Sequence, residues 1–314
     1  MTTPSFRIGA RGSPLSTAQT RRVIALLARS MAVPDAEIEF VPITTSGDTI
    51  QDRRLIEAGG KGLFTKELDE ALLNGRIDMA VHSLKDLPTQ LPGCIALACV
   101  PEREDPRDAF VCTRAATLDE LPAGANVGTA SLRRQAQTLF ARPDLGVVTL
   151  RGNVETRLRK LDAGEADATF LALAGLKRLG LERHAASLID PHDMPPAACQ
   201  GALAITARSD DARMRDALDR LEDRSARIEI EAERAFLDAL DGSCRTPIGA
   251  LARVRQGRLE FIGETLTPDG AARWRKDETN TIGSDDNADA RALGARLGHA
   301  IRDDAGSALI SDRE

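Results

Sequence analysis

No run of eighteen apolar residues occurs in the 314-residue chain, so no membrane-spanning helix is expected. The opening MTTPSFRIGARGSPL lacks a basic segment followed by an apolar one, and no secretory signal is expected there. Five cysteines, an odd number without paired spacing, fit a reducing cytoplasm better than a disulfide framework. Only four His are present, and neither they nor the cysteines cluster at metal-ligand spacing, so no metal is expected. A net charge of −6 argues against a nucleic-acid partner. The Gly-Lys-Ser/Thr signature of a phosphate loop is missing. Lysine is scarce as well: six of the 42 basic residues are Lys and the rest are Arg. What is present is an ordinary globular composition, 42 % apolar and 29 % charged, long enough for two or three domains with cores of their own.

The first two hundred residues alternate short apolar runs with amphipathic stretches, the pattern of α/β units around a mainly parallel sheet. SFRIGAR predicts a first strand, and Ser13-Pro14 a helix start running to about Ser30. EIEFVPITT predicts a second strand, KELDEALLNG a helix closed by Gly75, and DMAVHS a third strand. LLNGRIDMAVHSLKDL and LDAGEADATFLALAGL share one layout: helix, Gly75 or Gly164, Asp78 or Asp167, then an apolar strand. This supports two similar lobes. VPEREDPRDAFV and PHDMPPAACQG read as crossings between them, and GALAITAR as a strand returning to the first lobe. After about Ser225 the texture changes. IEIEAERAFLDAL predicts a helix, IGALARVR, LEFIGETL and ARWRKDETN three strands joined by tight turns, and DDNADARALGARLGHAIRDDAG a closing helix.

Arginines recur where predicted strands end. Arg11 and Ser13 follow the first strand, and VHSLKDLP places His82, Ser83, Lys85 and Asp86 after the third. Open α/β sheets bind ligands at these carboxyl ends. In VGTASLRRQAQ, Thr129 and Ser131 are cap types for a helix start, whose free N–H groups suit an anion. Arg133 and Arg134 on that first turn oppose the helix dipole and call for a compensating anion. Arg151 ends another strand, Asn153 caps the next helix, and Arg157 lies one turn in. Lys177 and Arg178 follow the strand ATFLAL. So many guanidinium groups in one cleft predict a ligand carrying several carboxylates. AGGKGLFTKEL, with Gly59, Gly60, Gly62, Lys61 and Phe64, predicts a mobile flap. Cys94, Cys99 and Cys112 sit in strand-like runs and read as packing residues. Cys244 differs, standing in LDGSCRTPIG on an open, small-residue loop where a thiol is accessible.

GARGSPLSTAQ, GGKGLFTKEL, AVHSLKDLP, EREDPRDAFV, VGTASLRRQAQ, LRGNVETRL, LAGLKRLGL, QGALAI and GSCRTPIG occur in this order and cover nearly the whole chain. Together they resemble the porphobilinogen deaminase (hydroxymethylbilane synthase) family. The resemblance implies an α/β fold of two lobes like those of periplasmic binding proteins, plus a small α+β C-terminal domain. The domains would span 1–102 with 201–221, 103–200, and 222–314. It implies a cytoplasmic, monomeric transferase of tetrapyrrole (haem) biosynthesis. Four porphobilinogen molecules would be joined head to tail into hydroxymethylbilane with release of ammonia. The primer would be a dipyrromethane cofactor bound through a thioether to Cys244. The matching catalytic acid is Asp86, whose carboxylate would stabilise the cation left when ammonia departs and move protons during coupling. Lys85, Asp86, Thr129, Ser131, Arg133 and Arg134 match cofactor contacts. Arg11, Ser13, Arg151, Arg157 and Arg178 match contacts to substrate and the growing chain. Asp48 and Lys61 match positions bordering the cleft. Three places depart from the family pattern: Glu57 where a basic residue is common, Arg245-Thr246 where Gln-Val is common, and Cys199 in place of a turn Gly. A polycarboxylate-binding protein would explain the arginines but leave Cys244 idle, and a cysteine hydrolase lacks a local His signature.

Overall fold

The computed structural model describes residues 6–49, 61–240 and 246–309. The chain divides into two compact units, Met1–Glu104 with Ala202–Arg227, and Asp105–Gly201 with Ile228–Glu314.

The first unit opens with β1 (Phe6–Arg11), α1 (Pro14–Met31), β2 (Ile38–Ile43) and the short α2 (Ser46–Thr49). α3 (Lys66–Leu73), β3 (Met79–Ser83) and β4 (Ile95–Cys99) follow. The second unit holds β5 (Asp108–Val111), β6 (Asn126–Gly128), α4 (Leu132–Ala141), β7 (Gly146–Val148) and α5 (Val154–Asp162). It continues with β8 (Ala168–Ala172), α6 (Leu173–Leu179) and β9 (Ser187–Leu188). β10 (Leu203–Arg208) and α7 (Ala212–Asp219) belong to the first unit again. α8 (Arg224–Ala239), β11 (Ile248–Arg255), β12 (Arg258–Leu266), β13 (Arg273–Thr281) and α9 (Asp286–Ala305) complete the chain.

The two five-stranded sheets share one topology. The order in the first is β2-β1-β3-β10-β4, and in the second β7-β6-β8-β5-β9. In each, the first three strands are parallel, and the fourth is antiparallel to its neighbours. That fourth strand is β10 in one sheet and β5 in the other. GALAITAR thus returns to the first unit's sheet as the sequence indicates. Both sheets carry apolar clusters on two faces because alternate strand residues point opposite ways. Ile8, Met79 and Val81 pack with α1 residues Val23 and Leu27, while Ile43 and Ala80 pack with α3 residues Leu68 and Leu72. In the second sheet Phe110, Val127 and Phe170 form one cluster, and Ala109, Val111, Leu158 and Leu176 the other.

The repeated Gly-x-x-Asp layout has one mechanical job in both units. Gly75 and Gly164 take left-handed φ values of 71° and 77°, which end α3 and α5 and turn the chain into the next strand. Asp78 and Asp167 then clamp the middle one of the three parallel strands, β1 in one sheet and β6 in the other. Asp78 accepts the Arg7 N–H at 2.8 Å and Asp167 the Asn126 N–H at 2.8 Å, while each Asp N–H returns to that residue's carbonyl.

The third sheet, β11-β12-β13, is an antiparallel meander. Phe236 of α8 meets Phe261 of β12 at 5.2 Å between ring centres. α9 crosses α8 closely: a Cβ on Gly294 would lie 2.0 Å from the Ala232 carbonyl oxygen. The α/β class with a small C-terminal sheet therefore holds.

Candidate active site

In the first unit, β1 and β3 end beside one another and a pocket opens at their carboxyl ends. Arg11, Ser13, Phe64, His82, Ser83 and Asp86 contribute to its lining. Ser13 is extended (φ −67°, ψ 152°) and caps α1 by accepting the Ser16 N–H at 3.3 Å, with Pro14 in the first turn. The partially positive start of α1 thus lies at the pocket. Leu84–Asp86 form a single 3-10 turn after β3. Leu84 and Leu87 are both buried and bracket the turn, leaving Lys85 and Asp86 half-buried between them.

Arg11 does not stand with a bare charge. Its Nε donates to Asp48 Oδ1 at 3.0 Å, and its guanidinium lies 4.1 Å from the centre of the Phe64 ring. Burial pushes the Asp48 carboxyl up, but hydrogen bonds from Arg11 and Thr45 outweigh it and hold Asp48 below the usual carboxylate range. His82 is buried, with Nε2 3.1 Å from Thr206 Oγ1. Burial first, and the charge of Arg11 second, lower its pKa to about 4, so the imidazole is neutral at neutral pH.

Gln19 is a residue here that sequence reasoning missed: its Nε2 donates to Ser83 Oγ at 2.8 Å and steadies the end of β3. The signal was available in α1, whose buried stripe begins polar (Ser16, Gln19, Thr20) before turning apolar at Val23. A polar residue on a buried helix face needs a partner, and the strand end supplies it.

The second unit concentrates its expected residues at the start of α4. Ser131 caps the helix by accepting the Arg134 N–H at 3.4 Å, and Thr129 Oγ1 accepts the Ser131 N–H at 3.1 Å. The sequence calls for an anion to compensate Arg133 and Arg134, and a bound carboxylate would serve. The structure shows a carboxylate of the chain itself in that place: both arginines are buried and both bind Asp108 of β5. Arg133 Nη2 and Arg134 Nη2 reach its two oxygens at 2.8 Å each, and Arg134 Nη1 donates to the Phe170 carbonyl at 2.8 Å. Burial pushes Asp108 up, yet the two guanidinium groups hold it far below the usual carboxylate range. Burial pushes Arg133 down from its ordinary value while Asp108 opposes that.

Arg151 lies half-buried after β7. Arg157 of α5 folds back to donate through Nε to the Gly152 carbonyl at 2.8 Å, below the Asn153 cap. Gly152 has φ 122°, and a Cβ there would sit 2.6 Å from Thr156 Cγ2, so this turn requires glycine. Arg178, near the end of α6, donates to the Gly201 carbonyl at 2.6 Å.

Cys199 adopts φ 64°, a left-handed conformation natural to the glycine that the sequence comparison expects there. Its N–H is taken by Glu233 of α8, whose other oxygen accepts the Ala252 N–H at 2.8 Å. Cys244, Arg245, Glu57, Gly59 and Gly60 lie outside the described residues, as does the side chain of Lys61. No His, Cys, Asp or Glu group suited to a metal occurs among the described residues. No described helix is long and apolar enough to cross a membrane.

Within the first unit the structure thus brings Arg11, Ser13 and Asp86 to one pocket, with Asp48 behind Arg11. Within the second it brings Thr129, Ser131, Arg133 and Arg134 to one helix start. Arg151 and Arg157 are placed near the start of α5, and Arg178 near the end of α6. Fold and side chains together define an α/β protein with capped helix starts and arginines at its strand ends and an acid in its pocket. Two family models match it: "Porphobilinogen deaminase, dipyromethane cofactor binding domain" over residues 6–216, and "Porphobilinogen deaminase, C-terminal domain" over residues 227–303. A porphobilinogen deaminase of Caulobacter vibrioides is 54 % identical over 316 residues, covering 98 % of each chain. One from Phenylobacterium zucineum is 52 % identical over 318 residues, covering 98 % of this chain and 99 % of that one. One from Nitrobacter winogradskyi is 53 % identical over 304 residues, covering 97 % and 95 %. Among solved structures, the methionine-binding protein MetQ aligns with TM-score 0.43 and 14 % identity over 68 % of this chain and 87 % of its own. The periplasmic VFT2 domain of Bordetella pertussis BvgS aligns with TM-score 0.41 and 15 % identity over 69 % and 86 %. The chain belongs to the porphobilinogen deaminase family. It is accordingly a transferase, with dipyrromethane as its cofactor.

Proposed function

We propose that this chain joins four porphobilinogen molecules head to tail into hydroxymethylbilane, with Asp86 as the catalytic acid and Cys244 as the thioether anchor of the cofactor. The observation that carries the assignment is Asp86, half-buried in a pocket it shares with Arg11 and the capped start of α1. The residues present suit such a cofactor. Helix starts and cations match carboxylates, and a carboxylate acceptor matches pyrrole N–H groups. When bound, the dipyrromethane supplies the free pyrrole carbon to which the first substrate is joined.

The rest is the work of the chain. The amino group of porphobilinogen, an ammonium at neutral pH, departs as ammonia when its C–N bond breaks and takes the bonding electrons, and the remaining methylene carries positive charge delocalised into the ring. The Asp86 carboxylate accepts the ring N–H and stabilises that charge. The new C–C bond then forms to a neighbouring pyrrole carbon, and the proton lost from that carbon passes to Asp86. Lys85, Thr129 and Ser131 hold cofactor carboxylates. Arg133 and Arg134 join them through N–H groups left over from their bonds to Asp108, Gln137, Pro195 and Phe170, since a guanidinium has five. Arg11, Ser13, Arg151, Arg157 and Arg178 receive carboxylates of substrate and product, with Asp48 and Lys61 at the border. Arg11 is well suited because Asp48 and Phe64 fix its direction before any ligand arrives.

The same reading divides the chain into domains at 1–102 with 201–221, 103–200, and 222–314. It assigns a cytoplasmic monomer acting on a small molecule, without metal or nucleic acid. Intact mass of the purified protein tests it. An adduct of two pyrrole units is expected, absent in Cys244→Ser, and an unmodified mass in active protein defeats the reading.

A further inference from the structure

The structure assigns to Asp108 the role of positioning residue for the start of α4. The inference rests on the function proposed above and concerns a residue that reading leaves without a role. Asp108 opens β5, between β8 and β9, and its side chain is fully buried. Its two oxygens accept Arg133 Nη2 at 2.8 Å, Arg134 Nη2 at 2.8 Å, Arg134 Nε at 3.3 Å and Gln200 Nε2 at 2.8 Å. Those four N–H groups match the four lone-pair directions of a carboxylate, so Asp108 is saturated from within the chain. It has no free face for substrate and is not a catalytic residue.

Two adjacent cations on the first turn of a buried helix repel each other and oppose the helix dipole. One carboxylate touching both removes that conflict and fixes the heading of each guanidinium. The Ser131 hydroxyl takes the Arg134 N–H, and Thr129 takes the Ser131 N–H. The rotation of this first turn, and with it the aim of Ser131 and Thr129, is therefore set by the Asp108 contacts. Gln200 also donates to the Pro106 carbonyl at 2.7 Å, locking the chain on either side of β5 to the same point. Gln137 provides an internal contrast. It lies one turn further along α4, equally buried, and bonds Arg133, the Pro195 carbonyl and Glu264. Its bonds to Pro195 and Glu264 brace the body of the helix, and of the two guanidinium groups at the start it bonds Arg133 alone.

The experiment compares Asp108→Asn, Asp108→Glu and Gln137→Met, each incubated with excess porphobilinogen. Cofactor occupancy is read by intact mass and fold by thermal melting. Asp108→Asn is expected to lower occupancy about tenfold. Gln137→Met is expected to lower the melting temperature while holding occupancy within about twofold of wild type. Asp108→Glu keeps the charge, with a longer stem. It decides the matter if Asp108→Asn fails to fold: a several-fold loss of occupancy at near-wild-type melting temperature is expected. Wild-type occupancy in the folded Asp108 variant overturns the assignment. So does an equal loss of occupancy in Gln137→Met at matched melting temperature. A wild-type chain carrying no adduct overturns the underlying function together with this assignment. Adduct present in wild type and unchanged in the Asp108 variants overturns this assignment alone.

Discussion

The two α/β units share a sheet topology and a repeated Gly-x-x-Asp corner, but they balance their strand-end arginines in different ways. In the first unit Arg11 is half-buried, and its countercharge, Asp48, sits on the short helix α2 with a quarter of its side chain still exposed. In the second unit Arg133 and Arg134 are buried, and their countercharge is a fully buried aspartate on a core strand. The first arrangement leaves a held but partly solvated cation at a pocket rim. The second builds charge into the framework, where solvent cannot screen it and each partner depends on the other.

The largest test of this contrast is Asp108→Asn, which removes the countercharge from two buried guanidinium groups. A loss of about 3–5 kcal/mol in urea unfolding is expected, as for breaking a buried ion pair from one side. A loss below about 1 kcal/mol would place these charges in effective contact with water.

His82 extends the comparison to the first unit's own interior. Its folded pKa of about 4 lies below the ordinary 6.5, so between these values the unfolded chain binds the extra proton. Stability should therefore rise with pH through that window and fall on acidification, by about 3 kcal/mol in all. His82→Gln should flatten this slope in denaturant midpoints taken from pH 7 to pH 4. An unchanged slope would move the acid sensitivity elsewhere.

Asp86→Asn should keep the fold and the cofactor adduct but lower the turnover of porphobilinogen about a hundredfold, or about 2.7 kcal/mol in barrier. Steady-state assays with mass analysis of the same sample check both halves, and near-normal turnover would remove Asp86 from its proposed role.

The smallest effect belongs to Asp48→Asn. The pair is partly solvated, so about 0–1 kcal/mol of stability should be lost at neutral pH. The sign with pH follows from the depressed carboxyl. The contribution is present above the unfolded carboxylate value and disappears as pH falls through the lower folded value. Acid titration of unfolding in wild type and variant measures it.

Much of this architecture was legible locally. Ser13-Pro14, Ser131 and Asn153 each announce a helix start because a short polar side chain satisfies a free N–H within three residues of itself. The similarity between residues 72–87 and 161–176 was also visible, and the fold gives it a reason in the clamping Asp78 and Asp167. The partner of Arg133 and Arg134 was not legible. Asp108 lies 25 and 26 residues away on an antiparallel strand, and nothing in EREDPRDAFV separates it from the other acids nearby. Glu233 and Glu264 were hidden for the same reason, reading as ordinary polar positions on a helix and a strand.

By itself the sequence determined where helices start and stop, which strand ends carry cations, and the family to which the chain belongs. Caps, glycine turns and apolar periodicity act over a few residues, and motifs survive as strings. The tertiary structure alone decided which charges meet and which are buried. Pairing across β5, β8 and α4 depends on sheet order and register, and burial is a property of everything packed around a group, which no local stretch contains.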